Sequence, residues 1–165
     1  MDERLLATAL SLVALICACG GSTGNSARSC AVSGAAPRPV VQLSWEIEHA
    51  TMDSDPPIAK VTLVVRGPKD ERLALGDFEG TCKPVELGAP ADRFVSGAGV
   101  AELSCDHQGK AMHARVVQES EAEIIVRRYE RAGEGAGLSN VREVARLPVP
   151  ACATFTSEVQ QTSEL

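Results

Sequence analysis

The chain has 165 residues and a formal net charge of −6, which leaves room for one ordinary domain and none for a second core. Apolar residues make up 44% and charged residues 23%, the balance of a folded protein, so wholesale disorder is excluded. The acidic balance also excludes nonspecific nucleic-acid binding, which rests on Lys and Arg neutralising phosphates. Trp45, Tyr129, Phe78, Phe94 and Phe155 are the whole aromatic set. A core must therefore be built from Val, Leu, Ile and Ala.

The first element is Leu5 to Ile16, an apolar run broken only by Thr8 and Ser11. It has the length of a signal-peptide core and is too short to cross ~30 Å of hydrocarbon as a helix. It ends in Ile16-Cys17-Ala18-Cys19-Gly20. An aliphatic residue three before the cysteine, a small residue just before it and Gly after it resemble the lipobox of bacterial lipoproteins. That resemblance implies cleavage between Ala18 and Cys19, a diacylglyceryl group on the Cys19 thiol and acylation of the new amino group. Residues 1–18 would then leave as the leader, Cys17 among them. Two or three acyl chains hold a protein stably on a bilayer where one does not. Gly20 follows the cysteine, where the family often places Asp for inner-membrane retention, so the outer membrane is the expected address. The other reading is plain secretion, with Ala18-Cys19-Gly20 as an A-x-A-like cleavage site and Gly21 as the mature start.

Residues 19–29 are the acylated cysteine and a Gly/Ser linker, GGSTGNSARS. Ten such residues have an r.m.s. reach of ~17 Å and a limit of roughly 36 Å, which keeps the domain close to its membrane. The domain itself is expected over 30–152, followed by a disordered tail over 153–165 (ATFTSEVQQTSEL) without apolar pattern. Cys30, Cys82, Cys105 and Cys152 lie within the domain. An even number in an exported chain reads as a disulfide framework with three available pairings. Cys30–Cys152 and Cys82–Cys105 are favoured, because the first pair brackets the domain and the second flanks a turn-rich segment. They would close loops of roughly 120 and about 24 residues, worth at most ~5 and ~3.5 kcal/mol.

Residues 40–48, VVQLSWEIE, alternate Val41, Leu43, Trp45 and Ile47 against polar neighbours, the period of a strand with one buried face. Ala59 to Arg66 repeats the pattern after a loop holding Asp53, Asp55, Pro56 and Pro57. Further strands are expected at 72–76, 78–82, 99–105, 111–118, 122–130 and 140–147. Their joints are turn-like: Gly67-Pro68, Asp106-His107-Gln108-Gly109 and the Gly-rich Arg131 to Gly137. The fold class is therefore all-β, an antiparallel β-sandwich or barrel-like domain of seven or eight short strands with two disulfides. It is not an immunoglobulin domain, since Leu103 stands two before Cys105 where the corner tyrosine belongs. The pieces VAELSCDHQGK and EAEIIVRR resemble the hairpins of exported bacterial lipoproteins. That resemblance carries no activity.

Candidate chemistry is sparse. His49, His107 and His113 fall at a strand end, in a turn and on an outward face, and read as solvated. The G-x-S-x-G elbow is absent, and Ser104, Asp106 and His107 are assigned no triad. Asp53 and Asp55 lack the calcium-loop frame, and C-x-x-C does not occur, so no metal and no cofactor is expected. Arg115, Arg127, Arg128, Arg131, Arg142 and Arg146 are interleaved with glutamates and read as a charge-paired surface. The loop Lys83 to Gly97 is longer than a corner requires, which makes Arg93 and Phe94 candidates for a partner surface. The expectation is a lipid-anchored envelope protein close to the outer membrane, a binding or structural module and not an enzyme. Its partners would be the membrane through Cys19 and an envelope protein or wall polymer. The alternatives are a secreted hydrolase and an inhibitor-like or adhesin-like module without the lipid.

Overall fold

A computed structural model describes residues 37–51, 54–88, 96–133 and 135–162. They form two sheets. Sheet A has the order β3-β2-β1-β9, with β1 (Val40–Thr51), β2 (Ile58–Arg66), β3 (Glu71–Glu79) and β9 (Thr154–Thr162). Sheet B has the order β4-β5-β6-β7-β8, with β4 (Thr81–Pro84), β5 (Ala98–His107), β6 (Lys110–Ser120), β7 (Glu123–Arg131) and β8 (Leu138–Pro148). The two sheets pack face to face and, among the described residues, neither closes on itself, so the architecture is a sandwich and not a closed barrel.

The apolar phase of each strand explains the core. Val41, Leu43, Trp45 and Ile47 of β1 and Ala59, Val61, Leu63 and Val65 of β2 point the same way, because residues two apart share a face. They meet Leu103, Val116, Ile124 and Val126 from sheet B, with Phe78 and Leu75 of β3 closing one flank. Arg128 of β7 fastens the sheets at that flank. Its guanidinium lies 4.3 Å from the Phe78 ring centroid and donates to the carbonyls of Leu75 (2.8 Å) and Asp77 (2.5 Å). Burial and the neighbouring charge of Arg142 pull its pKa down.

Three expectations are corrected. Among the described residues nine strands form instead of seven or eight, because residues 154–162, expected as a disordered tail, pair with β1 as β9. That pairing is parallel, so the sandwich is not purely antiparallel. The break expected at residue 77 lies at Gly80 instead. There φ is +103°, and the chain steps from sheet A to sheet B within one residue, with Gly80 N–H donating to the Pro57 carbonyl at 2.8 Å. A side chain at this position would collide with the Asp106 carbonyl group. Cys82 and Cys105 face each other across β4 and β5 and form a disulfide. Cys152 is disulfide-bonded as well; Cys30, expected as its partner, lies outside the described residues.

The strand directions define two poles. β1 starts at Val40 and runs toward the pole that holds Ile58, Glu79, the β5–β6 turn and the start of β8. The β5–β6 turn is a two-residue loop with positive φ at Gln108 (46°) and Gly109 (80°), the backbone of a tight hairpin. The opposite pole holds the first residues of β1 and of β9, joined by Thr154 N–H donating to the Pro39 carbonyl at 2.9 Å.

Gly80→Ala is expected to cost roughly 2 kcal/mol or more, since it adds a backbone collision to an unfavourable φ. Urea denaturation checks this, and an unchanged midpoint would contradict the one-residue crossover.

Candidate functional site

Two polar assemblies stand out from the charged surface. The first lies on the face of sheet B turned away from the core. Glu102 of β5 stands opposite Arg115 of β6, while Ser104 stands opposite His113, and His113 opposite Tyr129 of β7. Sheet faces turned outward normally carry solvated side chains, yet Glu102 and His113 are each 7% exposed and Tyr129 4%. Isolated, a carboxylate in such a place would cost several kcal/mol. Here Glu102 Oε1 accepts from His113 Nδ1 at 2.8 Å and from the Tyr129 hydroxyl, and Oε2 lies 3.5 Å from Arg115 Nε. The His113 ring stacks on Tyr129, with centroids 4.6 Å apart and planes 6° from parallel. Arg115 lies over Gly99, where a Cβ would come within 2.6 Å of its guanidinium. Val117 and Ile125, paired beside the network, are buried on the same outward face.

The chemistry of this network follows from who donates to whom. An ionised carboxylate only accepts, so His113 donates from Nδ1 and Tyr129 from its hydroxyl. His113 Nε2 is buried without a hydrogen-bond partner among the described residues. Ser104 donates to Asp106 Oδ2 at 3.3 Å and not to His113. The serine, histidine and carboxylate are therefore not arranged as a nucleophile and its base. The network ties β5, β6 and β7 together at a place that would otherwise hold apolar side chains.

The second assembly is a cleft of about 520 Å³ at the pole remote from the start of β1. The β5–β6 turn, the ends of β3 and β7, the start of β8 and the loop before β2 contribute to its wall. His107 Nε2 lies 3.2 Å from Asp55 Oδ1, and Glu130 Oε2 accepts from Asn140 Nδ2 at 2.8 Å. The Met112 sulfur accepts the Glu79 N–H at 3.4 Å. Arg131 lines this cleft with its Nε buried and unpartnered among the described residues.

The residues singled out from the sequence are scattered. Cys19, Cys30, Arg93 and Phe94 lie outside the described residues, as does Asp53. His113, expected as solvated, is buried because Glu102 and Tyr129 hold it against the sheet. His107 is paired with Asp55 in the cleft wall. The arginine surface is charge-paired where Arg146 meets Glu123 at 2.7 Å and Glu143 at 3.1 Å, and where Arg127 meets Glu119 at 3.8 Å. Both glutamates raise the pKa of Arg146. Among the described residues no group of three His, Cys, Asp or Glu is placed to hold a metal ion. Comparison with protein-family models, curated proteins and solved structures finds no match to this chain.

Tyr129 supplies a clean test, because it is the chain's single tyrosine. Burial first, then the hydrogen bond to Glu102 and its charge, push the hydroxyl up to about 12. The folded chain thus keeps a proton that the unfolded chain releases near pH 10. The stabilisation is complete below that pH and is lost as pH climbs through about 12. Ultraviolet titration of phenolate formation should give that high midpoint. Glu102→Gln should lower it, and an ordinary midpoint in the native protein would contradict the network.

Proposed function

We propose that this chain is a lipid-anchored protein of the bacterial cell envelope, acting as a non-catalytic binding module. The observation that carries the reading is Ile16-Cys17-Ala18-Cys19-Gly20 between an apolar leader and a Gly/Ser linker. The Cys82–Cys105 disulfide supports an oxidising compartment, where such bonds form and persist. β1 begins at Val40 at one pole of the domain, so a tether through residues 20–29 would lead to that pole. The cleft lies at the other. The ladder from Val40 to Glu48 spans roughly 27 Å, and the cleft is displayed at least that far along the domain from the tether.

Binding is favoured over catalysis because His113, held by Glu102, is enclosed on the sheet surface away from the cleft, and His107, held by Asp55 in the cleft wall, has no serine or cysteine hydrogen-bonded to it among the described residues. Acyl chains on Cys19 would supply the membrane attachment, since an acidic chain gains nothing from an anionic surface. The domain would sit close to the outer membrane, with its partner drawn from envelope proteins or wall polymers.

Intact mass spectrometry of the chain purified from membranes is expected to show a start at Cys19 carrying diacylglycerol and a further acyl group. Cys19→Ser should abolish incorporation of labelled palmitate and leave the leader attached. A soluble chain beginning at Gly21 without added mass would overturn the anchor in favour of simple secretion.

A further inference from the structure

We propose that the polar cleft between the β5–β6 turn and the end of β7 is the ligand site of this module, and that it takes a small carboxylate-bearing molecule. Arg131 and Lys110 would receive the carboxylate, and Glu79 would meet a hydroxyl or ammonium group of the same molecule. The inference rests on the binding-module reading and is independent of the lipid anchor.

A half-buried guanidinium without an ion-pair partner among the described residues singles the cleft out. Two of its carboxylates are engaged, Asp55 by His107 and Glu130 by Asn140. Arg131, Lys110 and Glu79 also line it, and none of their side chains makes a hydrogen bond or ion pair among the described residues. The contrast with the other half-buried arginines of sheet B is direct. Arg115 and Arg127 face carboxylates, and Arg128 is capped by two carbonyls. The Nε atoms of Arg115 and Arg131 are both buried without a hydrogen bond, but Arg115 has the Glu102 carboxylate at 3.5 Å, and Arg131 alone of these four faces neither a carboxylate nor a carbonyl among the described residues. A guanidinium held partly out of solvent gains most from a carboxylate, which its planar fork can grip with two parallel bonds.

The surroundings select the kind of anion. Asp55, Glu79 and Glu130 share the wall, so a phosphate dianion would meet three carboxylates, and a carboxylate carries only one charge against them. Glu79 has no side-chain partner among the described residues and suits a ligand that also donates. Pro56, Ala111 and Met112 provide apolar wall for a carbon skeleton. At about 520 Å³ the cleft lies within the size range of small-molecule sites, about 300–1,000 Å³. Amino-acid or peptide termini and sugar acids share this chemistry.

The test is a titration of the full chain in detergent micelles, followed through the ¹⁵N–¹H signal of Arg131 Nε, whose shielding from water slows proton exchange. Glucuronate represents the hydroxylated acids, glycylglycine the zwitterions and inorganic phosphate the dianion. At least one of the two carboxylates is expected to shift the signal saturably with a Kd below about 1 mM, and phosphate to bind at least about 10-fold more weakly. Arg131→Gln should weaken binding about 10-fold or more, and Lys110→Ala, at the exposed start of β6, should weaken it less. Repeating the titration on Cys19→Ser separates the two readings, because the site should persist there whatever becomes of the anchor. The proposal is overturned if neither carboxylate produces a saturable shift by about 20 mM, if phosphate binds more tightly, or if a folded Arg131→Gln binds undiminished.

Discussion

The structure depends on the place of β1, an interior strand hydrogen-bonded on one side to β2 and on the other to the last strand, β9. It delivers Val41, Leu43, Trp45 and Ile47 to the core, including the largest side chain buried there. Its neighbour β9 runs parallel to it, so the chain returns from sheet B through Val149 to Ala153 and rejoins sheet A beside Pro39. The two strands therefore begin at one pole, and the cleft is left to the other. A pull on the proposed N-terminal tether would act along β1 and be resisted by two ladders in shear. Ser44 adds a side-chain tie to β9 through Glu158 at 3.1 Å, and Glu46 grips Arg72 across β2 with two bonds.

Charge is handled differently in three places. On the outer surface it is paired across strands in water, where each pair contributes little. On the outward face of sheet B it is buried and compensated, with one carboxylate serving a histidine, a tyrosine and an arginine. In the cleft, Arg131 is neither paired among the described residues nor fully solvated, which separates a receptive site from a structural one. The Glu102 network and the cleft are linked through β7, where Tyr129 and Arg131 share a face, and the positive charge of Arg131 opposes the upward shift of the phenol.

Alternation makes the strands around Trp45 and Leu63 legible, because each has one face to bury. The C-terminal strand is not legible for the same physical reason. An edge strand on a small core needs few apolar residues, and β9 has only Phe155 and Val159 turned inward, among threonines, glutamines and glutamate. The end of β3 departs from the simple pattern because the ladder slips at Gly76, which turns Phe78 inward where strict alternation would place residue 77. The disulfide between Cys82 and Cys105 can be anticipated from spacing around turns. The buried network cannot, since Glu102, His113 and Tyr129 lie on three strands and only their pairing registers bring them together. A lone glutamate inside the otherwise small and apolar run Val100 to Cys105 is the one available signal.

The path of β1 and β9 decides which pole would hold the proposed tether and which displays the cleft, so amide hydrogen exchange resolved over residues 154–162 tests the account most directly. Slow exchange there, comparable with that of β2 and released together with β1, is the result it predicts. Exchange at the rate of an unstructured peptide across those residues, with β1 protected from the β2 side alone, would contradict it.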